Sequence, residues 1–79
     1  MKKMSSVEIE FYEAGIKDAN EKRHIVIPCR SERFLELERK YNFGFGFGKQ
    51  AIRCLDVYGA GVAHEINRQT FLEFKKEVD

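Results

Sequence analysis

The sequence contains few of the residue types and segments that indicate a functional class. It contains one proline, two cysteines and no tryptophan. No apolar run approaches the ~20 residues that a membrane-spanning helix requires, and the residues after Met1 do not resemble a signal-peptide core. The formal net charge is only +1, which argues against nucleic-acid binding through bulk positive charge. We therefore expect a cytoplasmic protein without a membrane partner.

The length of 79 residues predicts one small domain covering residues 1–79. A chain of this size buries only ~60% of the surface that its unfolded form exposes, so its stability margin is thin. Cys29 and Cys54 are too few for a disulfide-rich scaffold, and both lie in apolar stretches, where we expect small buried hydrophobic residues. Association into a homodimer is the remaining way to bury more area.

The first half of the chain predicts two strands and a helix. Residues Val7–Tyr12 alternate apolar and polar side chains, which is typical of a half-buried strand. Residues His24–Ile27 are rich in β-branched side chains and predict a second strand that ends at Pro28. Ser31 is suited to cap a helix that begins at Glu32 and stops near Asn42.

The second half predicts the same order of elements. Strands are expected over Ala51–Tyr58 and Val62–Ile66, joined by a tight turn at residues 59–61. Thr70 begins a capping box, so a second helix is expected over Thr70–Val78. The sequence therefore predicts an α+β fold in ββαββα order, with a four-stranded, mainly antiparallel sheet and two helices on one face.

Two pairs of similar segments suggest an internal repeat. Residues 34–37 match residues 71–74, and Tyr12-Glu13-Ala14-Gly15 matches Tyr58-Gly59-Ala60-Gly61. On this interpretation two ββα units, residues 7–42 and 51–79, are joined by residues 43–50. The alternative is that these matches arose by chance, because short amphipathic segments of this kind are ordinary.

The linking segment contains the run Phe43-Gly44-Phe45-Gly46-Phe47-Gly48, which is the least ordinary stretch of the sequence. It lacks the residues of a P-loop and of a dinucleotide fingerprint. Four of its residues fit part of the aromatic octapeptide of RNA-recognition domains, but the preceding order of elements is wrong for that fold. The run is interpreted as a linker whose phenylalanines complete the core; a partner contact and a base-stacking surface are the alternatives.

Residues capable of catalysis are sparse. No Cys-x-x-Cys or His-x-x-x-His spacing exists, so no metal site and no cofactor are expected. His64 shares a predicted strand face with Val62 and Ile66, which favours a buried structural histidine. A small ribonuclease would need an acid, a base and cations, and the residues that could supply them are His24, His64, Glu65, Arg53 and Arg68.

The sequence thus favours a non-catalytic binding protein, a regulator, inhibitor or adaptor that acts through protein–protein contact. Small inhibitors encoded by phages and other mobile elements are of this kind. The alternatives are a single-stranded RNA- or DNA-binding protein that uses the Phe-Gly run, and a small ribonuclease. The candidate binding residues lie on the open face of the predicted sheet or in that run: Tyr12, His24, Phe43, Phe45, Phe47, Lys49 and Tyr58. Another protein is the expected partner, with a homodimer as an alternative.

Overall fold

The computed structural model describes residues 4–21, 31–43 and 48–78, and these ranges are helical almost throughout. Helix α1 spans Ser6–Glu21, α2 spans Glu32–Lys40 and α3 spans Gly48–Val78. No strand occurs within the described ranges. The protein is therefore an all-α fold over the part of the chain that the structure describes.

The predicted α+β fold, with its ββαββα order and four-stranded sheet, is wrong. The strand expected at Val7–Tyr12 lies in α1. The strands expected at Ala51–Tyr58 and Val62–Ile66, and the turn between them, all lie within α3. The strand expected at His24–Ile27 falls outside the described residues.

The alternating polarity of residues 7–12 is misleading, because only one apolar residue of this segment, Phe11, is deeply buried. Phe11 is fully buried, whereas Ile9, which would share its strand face, is 40% exposed. The buried positions Phe11, Ala14 and Asp18 instead follow spacings of three and four residues, as one face of a helix requires. The helical period, and not the period of two, therefore determines burial here.

The predicted helix after Ser31 is confirmed. The Ser31 hydroxyl accepts a hydrogen bond from the Phe34 amide at 3.0 Å, which satisfies one free amide of the first turn. Asn42 has a φ of 56°, a left-handed conformation that asparagine tolerates at the end of a helix. Residues 70–78 are also helical, but they continue α3, so Thr70 lies inside a helix and does not cap one.

Helices α1 and α3 run in the same direction. Arg53 Nε donates to Glu8 at 2.7 Å near one end of the pair, and Asn20 Nδ2 donates to Glu65 at 3.0 Å near the other. Both pairs are separated by 45 residues in the sequence, so the two helices keep one register over about three turns.

Two glycines allow α1 and α3 to approach each other closely. A Cβ atom on Gly15 would overlap the Tyr58 carbonyl oxygen, and a Cβ atom on Gly61 would overlap the Tyr12 carbonyl oxygen. The matching segments 12–15 and 58–61 are therefore the ones that meet where the helices pack. Gly61, expected in a turn, instead permits backbone contact between helices.

Aromatic rings from all three helices form the centre of the core. Phe34 of α2 packs edge-on against Phe11, with ring centroids 5.3 Å apart, and against Tyr58 at 5.0 Å. Phe43 stacks on Phe11 at 5.6 Å. Cys54 is fully buried beside this cluster, as predicted. Phe34 is thus the buried residue through which the short helix α2 joins the core, with Leu37 packed against the same cluster.

We predict that Gly61→Ala lowers the free energy of unfolding by about 1–3 kcal/mol, because the added methyl group forces the two backbones apart. The loss is expected even though alanine has the higher helix propensity. Urea denaturation followed by circular dichroism measures it. The control is Gly48→Ala, where a Cβ meets nothing within 4 Å; an equal or smaller loss for Gly61→Ala would contradict the close approach.

Candidate interaction surface

A polar cluster surrounds Asp18, a buried residue of α1, where α1 packs on α3. The Tyr58 hydroxyl donates to Asp18 and lies 2.8 Å from Ser31 Oγ. Arg33 donates to Asp18 at 2.9 Å and to Glu21 at 3.1 Å. Burial, reinforced by the Asp18 carboxylate, raises the pKa of Tyr58, so the phenol stays protonated. This cluster connects α1, α3 and the start of α2.

A second buried cluster surrounds Glu65. Its carboxylate accepts hydrogen bonds from Arg68 at 2.6 Å, Asn20 at 3.0 Å and Gln69 at 3.0 Å. The bond from Arg68 is the main cause that lowers the pKa of Glu65 to about 2, with Gln69 and Asn20 adding to it against the opposing effect of burial. The carboxylate of Glu65, which belongs to α3 and lies beside the C-terminal end of α1, thus stays ionised.

Both clusters are closed by their own hydrogen bonds. Among the described residues, every buried side-chain nitrogen or oxygen has a partner. Burial also raises the pKa of the Cys54 thiol, which disfavours a reactive thiolate. The buried groups of both clusters therefore hold the helices in position through bonds within the chain.

A groove of about 540 Å³ lies between α1 and α2. Three acidic and three basic side chains line it, and two of the basic ones are held in ion pairs. Lys40 bridges to Glu10 across the groove at 2.8 Å, and Arg33 is held by Asp18. The charges of the groove thus largely compensate one another.

The opposite side of α3 is open to solvent. Residues at helical spacing form a stripe here, which we call the outer face of α3: Ile52, Asp56, Gly59, Ala63, Ile66, Thr70 and Phe74. At 100° per residue this stripe lies opposite Cys54 and Glu65, both of which are buried. Ile52 is 60% exposed and Phe74 is 63% exposed. The outer face therefore points away from α1 and is apolar at Ile52, Ile66 and Phe74, with Asp56 as its charged residue.

The C-terminal part of α3 extends beyond α1. In the common register of the two helices, Glu21 at the end of α1 lies level with Ile66, so roughly three turns of α3 follow. Phe71 is 64% exposed on this extension, beside Phe74, and Leu72 is also exposed. Charged residues flank these side chains, an arrangement like the polar rim of a protein interface.

The residues predicted from sequence as a binding site are not brought together. Tyr58 is fully buried, and Phe43 is half-buried against Phe11. Tyr12 is half-buried, with its ring 6.2 Å from that of His64. Lys49 is exposed in the first turn of α3. His24, Phe45 and Phe47 lie outside the described residues.

Of the residues considered for a ribonuclease, His24 lies outside the described residues, and Arg53 is eleven residues, about three turns of α3, away from His64. His64 is exposed, and its predicted burial is wrong. Glu65 and Arg68 bind each other, and Arg53 binds Glu8. Within the described ranges, no group of three or more histidine, cysteine, aspartate or glutamate residues is placed to hold a metal ion.

Sequence reasoning missed the outer face, because it divided α3 into two strands, a turn and a helix. Reading residues 48–78 as one helix would have placed Ile52, Ala63 and Phe74 on a common side. The glycines at 59 and 61 obscured this period, since both are typical of turns.

Comparison with known proteins found no relative: no protein-family model, curated protein or solved structure matches the chain. In the part of the chain that the structure describes, no helix is sufficiently long and apolar to cross a membrane.

We predict that Tyr58→Phe lowers the free energy of unfolding by about 1–3 kcal/mol, because it removes the hydroxyl that donates to the buried Asp18 Oδ2, while Arg33 continues to donate to Oδ1. The matched control is Tyr12→Phe, in a half-buried side chain, which should cost less than about 0.5 kcal/mol. Thermal and urea denaturation compare the two. Equal effects would contradict a specific role for the Tyr58 hydroxyl.

We also predict that acid destabilises the fold through Glu65. Its pKa is about 2 in the folded chain against 4.5 as the ordinary value, so the stabilisation is complete above pH 4.5 and is lost as the pH falls towards 2. Glu65→Gln should lower stability at pH 7 and flatten the decline between pH 5 and pH 2. Urea midpoints across this range measure it; Glu73→Gln, at an exposed site on the same helix, should keep the parent's slope.

Proposed function

We propose that this protein is a non-catalytic binding protein that acts through protein–protein contact, and that the outer face of α3 with the flanking Phe71 is its contact surface. The observation that carries the proposal is the exposure of Phe71 and Phe74, each nearly two-thirds accessible, on one helix extension. Burying a phenylalanine side chain contributes ~1.5–3 kcal/mol. A small chain that leaves two of them accessible gains substantially when a partner covers them.

The rest of the molecule supports this assignment. Among the described residues, every buried polar side-chain atom has a hydrogen-bond partner. In the groove between α1 and α2, Lys40 is paired with Glu10, and Arg33 is paired with Asp18 beside it. The outer face, in contrast, presents apolar side chains on one continuous helix, which packs on α1 up to about Ile66 and carries Phe71 and Phe74 beyond it. A preformed helix reduces the entropy lost when a partner binds.

The test is capture of a stoichiometric partner by tagged protein in its native cell, with an untagged copy co-expressed so that self-association also registers. We expect the parent to retain a partner and the double variant Phe71→Ser/Phe74→Ser to lose it, at least tenfold, since about 2 kcal/mol or more of apolar burial is removed. Circular dichroism checks that the variant remains helical.

The matched control is Ile9→Ser, which removes an apolar side chain that is 40% exposed on α1, away from the outer face. This variant should retain the partner. The proposal fails if the parent retains no stoichiometric protein, or if the double variant retains the same proteins as the parent.

A further inference from the structure

One residue of the outer face is unexplained by packing within the chain. Gly59 lies in the middle of α3, where glycine costs about 0.5–1 kcal/mol relative to alanine. A Cβ atom placed on it would meet nothing within 4 Å, whereas one on Gly15 or Gly61 would overlap the neighbouring helix. Ala60 and Ala63 are exposed nearby and are also small, so no large side chain projects from the centre of the outer face.

Two of the three large apolar residues of the outer face are placed symmetrically about Ala63, and Ile66 is the third. Ile52 and Phe74 each lie eleven residues from it, on opposite sides, and both are about 60% exposed. Two copies of α3 that cross in opposite directions at Ala63 would therefore place Ile52 of each against Phe74 of the other. The small residues at the centre would allow the two helices to approach closely.

The charges at the two ends follow the same symmetry. Lys49 and Glu77 each lie fourteen residues from Ala63, and both are exposed. Neither has an ion-pair partner within the described part of the chain. An antiparallel pair would set Lys49 of one copy opposite Glu77 of the other, twice, whereas a parallel pair would set like charges together. Complementary charges of this kind determine helix orientation.

We propose that the partner of the outer face is a second copy of this chain, bound through an antiparallel contact of the two α3 helices centred on Ala63. This inference rests on the proposed function, because it names the occupant of the same surface. The contact is isologous: each copy contributes the same residues, and the two-fold axis passes beside Ala63. It accounts for the exposure of both Ile52 and Phe74 and for the presence of glycine at position 59.

The test uses symmetric cross-linking of the full chain. With Ala63→Cys, the two new thiols face each other at the axis and should form a disulfide-linked dimer under mild oxidation. With Thr70→Cys, the matched control on the same face, the two thiols lie about 21 Å apart along the helices. This is beyond the Cα separation of roughly 7 Å that a disulfide spans, so no cross-link should form.

The parent protein, oxidised in parallel, measures how much cross-linking comes from the native cysteines, Cys29 and Cys54. A cross-link at position 63 but not at 70 supports the inference. Cross-linking at both positions to the same extent, as a parallel pair would show, overturns the antiparallel arrangement.

If neither variant cross-links, sedimentation equilibrium measures directly whether the chain forms a dimer. We expect the parent to be dimeric, and Ala63→Glu to weaken association roughly tenfold or more, because two carboxylates would meet at the axis. A parent that remains a 9.3 kDa monomer at all accessible concentrations overturns the inference. If such a monomer still retains another protein through Phe71 and Phe74, the proposed function stands and only the choice of partner is wrong.

Discussion

The structure depends on the contact between the backbones of α1 and α3. Gly15 and Gly61 remove the side chains that would separate the two helices, and each lies against the carbonyl oxygen of a tyrosine on the other helix. This close approach sets the common register of the helices, and the register places Tyr58 beside Asp18 and Glu65 beside Asn20. A short chain thereby obtains a core from one helix pair and a few aromatic rings, with α2 closing it through Phe34.

The same contact gives α3 two distinct sides. The inner side carries saturated polar clusters and small residues, and it positions the helix. The outer side carries Ile52, Ile66 and Phe74, which the remainder of the described chain leaves accessible. Because α3 is nearly twice as long as α1, its C-terminal turns extend beyond the helix that supports them. The fold thus stabilises one side of α3 and presents the other.

The sequence allowed correct prediction of the elements whose signals are local. Ser31 and Asn42 delimit α2 because capping and left-handed conformation depend on single residues. Burial of Cys54 was also predictable from its apolar surroundings. The α1 segment was misjudged because six residues of alternating polarity fit a strand as well as a helix, and only packing against α3 decides between them. The glycines of α3 were misjudged because a turn and a close helix contact both favour glycine. The outer face could not be predicted until residues 48–78 were known to form one helix.

The most direct measurement of this account is a nuclear Overhauser experiment on the full chain. Within one chain, it should show contacts of the Gly61 protons with the segment Tyr12–Gly15. It should show none from the Phe71 or Phe74 rings to α1 or α2. Intrachain contacts from these rings to α1 or α2, or the lack of contacts at Gly61, would contradict a fold that packs one side of α3 and leaves the other for a partner.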